Sequence, residues 1–206
     1  MQQSLLQPHR SSEGIPSFDH IGDLEVLARQ KIGLFCSIKC PGSLILQTYD
    51  LMQELRDAGI AVISGFHSPM EQECLNILMR GQASIVKCYA RSIAKLRIPS
   101  EYRKPLDDGR LLLISPFDEK HPKTAKHTSL YRNKFVAGLS DIVFVAHASP
   151  GGKTEKFCAE ILSWGKPLYT FESEYNKTLI SAGAMPIVSS EPGLNLLLGE
   201  RSSDGY

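Results

Sequence analysis

Seven short apolar runs, each closed by a turn and most followed by a stretch with helical spacing, constrain the fold of this chain more than any other feature. They occupy residues 32–36, 60–64, 84–88, 111–115, 142–147, 167–171 and 185–188. The longer runs are continuously apolar rather than alternating, which predicts strands covered on both faces, the habit of a parallel sheet with helices on each side. Between the runs, Leu44, Ile45, Leu51, Met52, Leu55 and Ala58 recur at helical spacing, and Gly59 ends that helix. Ser68, Pro69, Met70 and Glu71 form a capping box with proline at the first helical position. Residues 89–110 predict a short helix and a charged loop. A helix is expected near 129–139, and another over 154–164 that buries Phe157, Cys158, Ile161 and Leu162. The expected architecture is a single α/β domain, a doubly wound, mostly parallel, Rossmann-like sheet over residues 31–188. An N-terminal extension without pattern (1–30) precedes it and a polar tail (189–206) follows.

Composition narrows the function classes. The chain has 206 residues, 42% hydrophobic and 22% charged, enough for one good core. No run of 18 apolar residues is present, so no membrane partner is expected. The first 16 residues lack an apolar segment of the secretory type, and five cysteines stand at no zinc-like spacing. These read as reduced thiols of a cytoplasmic protein with no metal and no cofactor; Cys36, Cys40 and His67 are not read as a ligand set. The net charge of +1 hides an uneven distribution: residues 80–134 carry 13 basic and 5 acidic side chains, between two acidic flanks. Gathered on one continuous face, such a block would attract phosphate-bearing partners.

Ligands of open parallel sheets bind beyond the carboxyl ends of the strands, at helix N-termini. Three turns fall there, at residues 37–43, 65–68 and 149–154, and each combines glycine with serine or threonine. Ser37, Ser64, Gly65, Ser149, Gly151, Gly152, Lys153 and Thr154 are therefore the candidate phosphate-holding residues. Gly152, Lys153 and Thr154 imitate the end of a P-loop, but the first glycine of that pattern falls on His147, so an ATPase is not expected.

The run from Tyr131 through Arg132, Asn133, Lys134, Phe135, Val136, Ala137, Gly138, Leu139 and Ser140 to Asp141 resembles the RNRIIAGLSD segment of the DNA-processing protein A (Smf) family. Ser64-Gly65-Phe66 is similar to that family's SGxA turn and residues 149–154 to its SGSLxT turn. Asn176, Leu179, Ile180, Gly183 and Ala184 resemble its N-x-L-I-x-x-G-A tail, with one extra residue after the Asn. The resemblance covers about residues 31–188 and implies a Rossmann-like core of a superfamily of nucleotide-ligand sensors and enzymes. It further implies single-stranded DNA or a nucleotide-derived small molecule as partner, self-association into a homodimer, and a recombinase partner. Arg132 and Asn133 join the candidate site through it. Tyr131 and Phe66 are candidate stacking residues beside the cationic track of Lys120, Lys123, Lys126, Arg132 and Lys134. Where the family's first turn reads G-[ST]-R, this chain has Cys36-Ser37-Ile38, which removes one phosphate contact.

A second reading comes from another class. The same superfamily includes the "lonely guy" phosphoribohydrolases, whose PGGxGTxxE motif is similar to Pro150-Gly151-Gly152-Lys153-Thr154-Glu155 with the inner glycine deleted. Under that reading Glu155 or Glu160 is the catalytic carboxylate and Arg132 holds the phosphate. A third is a non-catalytic sensor of a nucleotide-derived signal that uses the same pocket.

Overall fold

The computed structural model describes residues 17–188. Eight strands build one sheet: β1 (Asp19–Ile21), β2 (Lys31–Phe35), β3 (Ala61–Ser64), β4 (Ile85–Cys88), β5 (Leu111–Ser115), β6 (Ile142–Val145), β7 (Leu168–Phe171) and β8 (Met185–Ile187). Their order is β1-β5-β4-β3-β2-β6-β7-β8, parallel throughout except for β1, which runs antiparallel along β5 with Asp19 opposite Ser115. Six α-helices cover it: α1 (Gly42–Asp57), α2 (Pro69–Met79), α3 (Ser100–Asp107), α4 (Lys126–Leu139), α5 (Lys153–Ser163) and α6 (Lys177–Ser181). From β2 the chain winds outward through β3 and β4 to β5, then returns and winds the other way through β6, β7 and β8. The reversal lies between β2 and β6, and crevices at such switch points receive ligands.

The pleat of β2 shows why both faces are apolar. Ile32 and Leu34 enter one core with α1, α2 and Tyr102 of α3, while Phe35 enters the other with α4, α5 and Leu179 of α6. Gly33, between them, lets α4 approach: a Cβ there would lie 2.3 Å from Ser140 Oγ. The C-terminal end of α4 is then pinned from two sides. Lys166 Nζ donates to the carbonyls of Ala137, Gly138 and Ser140, and Asp141 accepts from both the backbone N–H (2.8 Å) and Nζ (3.1 Å) of Lys31.

Three features depart from the expectations above. Within residues 17–30 the structure adds β1 and a 3₁₀ turn, Leu24–Ala28, whose Val26 is buried against the sheet. Helix α4 starts at Lys126, earlier than its apolar spacing indicates, because Thr128 Oγ1 accepts from the N–H of Ala125 (2.8 Å) and closes the first turn. Helix α6 follows β7 and lies outside the expected set of helices. The polar tail at 189–206 and residues 1–16 lie outside the described residues. Among the described residues no helix is long and apolar enough to cross a membrane.

Candidate functional site

At the switch point the turns after β2 and β6 are fastened to each other. The N–H of Ser37 donates to the His147 carbonyl (2.9 Å), and Ser37 Oγ accepts from the N–H of Ser149 (3.0 Å). Helix α1 begins behind Pro41 and α5 behind Gly152, and no side chain caps either one. Both N-termini face this edge of the sheet; the first turn of α1 has no acidic residue and favours an anion, whereas that of α5 holds Glu155. Beside them opens a cleft of about 630 Å³, lined among others by Lys39, Cys40, Tyr49, Met70, His147 and Ser149. The His147 ring is fixed from below: its Nδ1 lies 3.2 Å from Asn176 Oδ1, and Asn176 Nδ2 donates to the Ala146 and Phe171 carbonyls.

The turn from β3 into α2 makes a second station. Ser64 Oγ donates to the Leu34 carbonyl (2.8 Å) and accepts from the N–H of Phe66, which sits buried at φ 46, in the left-handed region. Glu71 completes the capping box with Ser68. Its carboxylate also accepts from the N–H groups of His67 (2.8 Å) and Cys36 (3.0 Å), tying the ends of β2 and β3 together. Over this turn lies Arg132 of α4, only 6% exposed, with its guanidinium flat against Gly65: a Cβ on Gly65 would stand 1.7 Å from Nη1. Nη1 donates to the Cys88 carbonyl (3.3 Å) and Nε to Asn133 Oδ1 (2.8 Å). Among the described residues no carboxylate is within ion-pair distance of this guanidinium. Burial pushes Arg132 down from its ordinary range and Glu71 up, and the charge of each opposes the shift of the other.

The structure thus brings Ser37 and Ser149 together at the switch point, and Gly65, Arg132 and Asn133 together one strand away. Ser64 is fully buried and spent on the sheet. Gly151 and Gly152 shape the turn into α5, with Lys153 exposed and Thr154 half-buried in its first turn. Glu155 folds back so that Oε2 accepts from the N–H of Gly151 (2.6 Å), and Glu160 pairs with Lys134 (2.5 Å); neither lines the cleft. Phe66 is core, not a stacking surface, because its left-handed turn points it inward. Tyr131 is 37% exposed and packs edge-on against Phe117 at 5.5 Å.

Three residues at this edge lie outside the candidates taken from the sequence. Lys39 and His147 line the cleft, and Glu71, visible in the sequence only as a helix cap, braces both turns. Ile38, standing where the family pattern has arginine, is 75% exposed, with Lys39 beside it in the cleft. The basic block does not form one continuous face. Arg110 and Lys104 lie toward the amino edge, on the Met79 carbonyl and on Asp108, while the loops after β4 and β5 carry Arg91, Lys95, Arg97, Lys120 and Lys123 at the carboxyl edge. All five cysteines are free, and among the described residues no His, Cys, Asp and Glu cluster of three or more is arranged to hold a metal.

The family model described as DNA recombination-mediator protein A matches residues 16–195. Among solved structures, DNA processing protein A from Streptococcus pneumoniae superimposes at a TM-score of 0.70 and 16% identity over 87% of this chain, which spans 65% of that protein. DNA processing protein A from Helicobacter pylori, described for its unique single-stranded DNA binding mode, gives 0.75 and 16%, covering 97% of this chain and 95% of the other. The molybdenum cofactor carrier protein of Chlamydomonas reinhardtii gives 0.55 and 16%, over 84% of this chain and 98% of that one. At these identities the likeness is one of fold. No curated protein matches the chain significantly in sequence.

Proposed function

The chain belongs to the DNA recombination-mediator protein A family, and on that premise we propose that it holds a phosphate of single-stranded DNA, or of a nucleotide, at the carboxyl edge of its sheet. The observation that carries this reading is Arg132. A guanidinium buried to this degree is costly unless an anion compensates it. Its partners within hydrogen-bond reach are a backbone carbonyl and an amide oxygen, both uncharged. Glu71 acts on it only from beyond ion-pair distance, so a phosphate oxygen arriving over Gly65 supplies a charge in direct contact, and the planar fork of arginine suits it. The uncapped N-terminus of α1, with Ser37 and Ser149 beside it, offers a second phosphate oxygen a place one strand away.

The reading is tested by fluorescence anisotropy of a labelled oligothymidylate with wild type, Arg132→Ala and Arg132→Lys at two salt concentrations. We expect salt-sensitive binding that falls at least about tenfold in Arg132→Ala and is restored only in part by lysine, a single charge without the fork. No binding by wild type at micromolar protein overturns the DNA reading.

The cleft favours a second reading: its volume of about 630 Å³ suits a compact nucleotide-like ligand. Hydrolysis is not part of either proposal, since Glu155 is turned onto its own helix end and Glu160 is paired with Lys134.

A further inference from the structure

Within β4, a strand whose Ile85, Val86 and Cys88 are all buried, stands Lys87. A lysine within a strand of a parallel sheet covered on both faces is uncommon. Its Nζ donates to Tyr102 Oη (2.8 Å) and lies 5.1 Å from the centre of the Tyr102 ring and 5.6 Å from that of Tyr89, the residue that follows the strand. Arg91, two residues on, places its guanidinium carbon 5.8 Å from the centre of the Tyr89 ring. The loop that presents them is held firmly: Ser115 Oγ donates to the Arg91 carbonyl (2.7 Å), and the N–H of Ser92 donates to the His121 carbonyl (2.8 Å).

Among the described residues no carboxylate is within ion-pair distance of Lys87 or Arg91. Arg132 meets the carbonyl of Cys88, the residue between Lys87 and Tyr89. Two cations therefore flank the Tyr89 ring and a third meets the neighbouring backbone, while Glu101 and Glu71 act on Lys87 and Arg132 only from beyond ion-pair distance. Burial pushes the Lys87 ammonium down from its ordinary range, the charge of Arg132 adds to that push, and Glu101 opposes it from beyond ion-pair distance. Folding alone gains nothing from two like charges brought together; a polyanion does.

We propose that the carboxyl end of β4 is a second anchor for a single strand of DNA, with Lys87 taking a phosphate neighbouring the one on Arg132 and the Tyr89–Arg91 stack receiving a base. The proposal rests on the DNA reading above and goes past it by requiring a ligand of at least two linked nucleotides. A track of cations beside a stacking surface is the general device for holding a single strand. The two parts leave different signatures, because a phosphate contact is lost with its counterion release whereas stacking is largely indifferent to salt.

Anisotropy with labelled oligothymidylate separates them. In Lys87→Met the affinity falls at low salt, and the slope of log K against log salt becomes shallower by about 0.7. In Tyr89→Leu the affinity falls about fivefold or more at every salt concentration with the slope unchanged. Arg91→Ala, a change in a loop side chain that asks nothing of the core, gives a loss of the same order. Circular dichroism confirms that each variant is folded. If Tyr89→Leu and Arg91→Ala bind like wild type while Arg132→Ala does not, the second anchor is wrong and the reading at Arg132 stands. If wild type binds no oligothymidylate, both fall.

Discussion

Gly65 carries no side chain because the Arg132 guanidinium occupies that space, with Nη1 1.7 Å and Cζ 2.1 Å from where a Cβ would be. These are not contacts a flexible tip can relieve by a small shift, since the same guanidinium is tied to Cys88 and Asn133. Gly65→Ala is therefore expected to evict the arginine and to weaken oligothymidylate binding about as much as Arg132→Ala does, with the far-ultraviolet spectrum unchanged. Anisotropy on the two variants side by side checks this, and full affinity in Gly65→Ala would separate the arginine from the ligand. Glu71 supports the same turn from inside. Burial raises its carboxyl above the ordinary value of 4.5, against the pull of three backbone N–H donors and Arg132. A carboxyl raised on folding favours the folded state at low pH, and that contribution is lost as pH rises through the raised value. Relative to Glu71→Gln, which titrates nothing there, wild type should gain stability as pH falls toward 4.5; urea midpoints of the two proteins against pH measure the difference. A difference that runs the opposite way would mean that the amides and Arg132 outweigh burial.

At the scale of elements, the placing of Arg132 over Gly65 depends on where α4 lies, and α4 is set by Gly33, Lys166 and the Lys31–Asp141 pair. Gly33→Ala drives a Cβ to 2.3 Å from Ser140 Oγ and 3.0 Å from its Cβ, an overpacking expected to cost about 1–3 kcal/mol. Urea unfolding measures it, and Gly33→Ala combined with Ser140→Gly should recover most of the loss. Elements were legible in the sequence to the extent that local pattern determines them. The strands from β2 to β7 are apolar runs because they are buried on both faces, and the capping box at Ser68 fixes the start of α2 within the chain itself. β1 was illegible for a physical reason. It is a three-residue edge strand, Asp-His-Ile, held by its antiparallel backbone ladder on β5, and its side chains carry almost no burial signal. The early start of α4 was hidden because the closing contact, Thr128 to Ala125, uses an unusual capping residue.

Across the whole molecule, the candidate residues were readable singly while their grouping was not. Ser37 and Ser149 lie 112 residues apart and meet only because the strand order reverses between β2 and β6. The basic block at 80–134 crosses the sheet twice, so Arg110 is delivered to one edge and Arg91 to the other; charge counted along the chain has no access to that division. Glu155 and Glu160 looked equivalent as carboxylates on one helix, yet the first is drawn to its own N-terminus and the second to Lys134 of the neighbouring helix. On the proposed reading, a nucleic-acid phosphate binds along the carboxyl edge from the Ser37–Ser149 turn to Arg132. The direct measurement is a titration of ¹⁵N-labelled protein with a short oligothymidylate, followed by amide and arginine Nε resonances. The amides of Ser37, Gly65 and Ser149 and the Arg132 Nε signal are expected to shift together and saturate at one concentration. Shifts confined to the amino edge, around Gly81 and Gly109, with Arg132 unmoved, would contradict it.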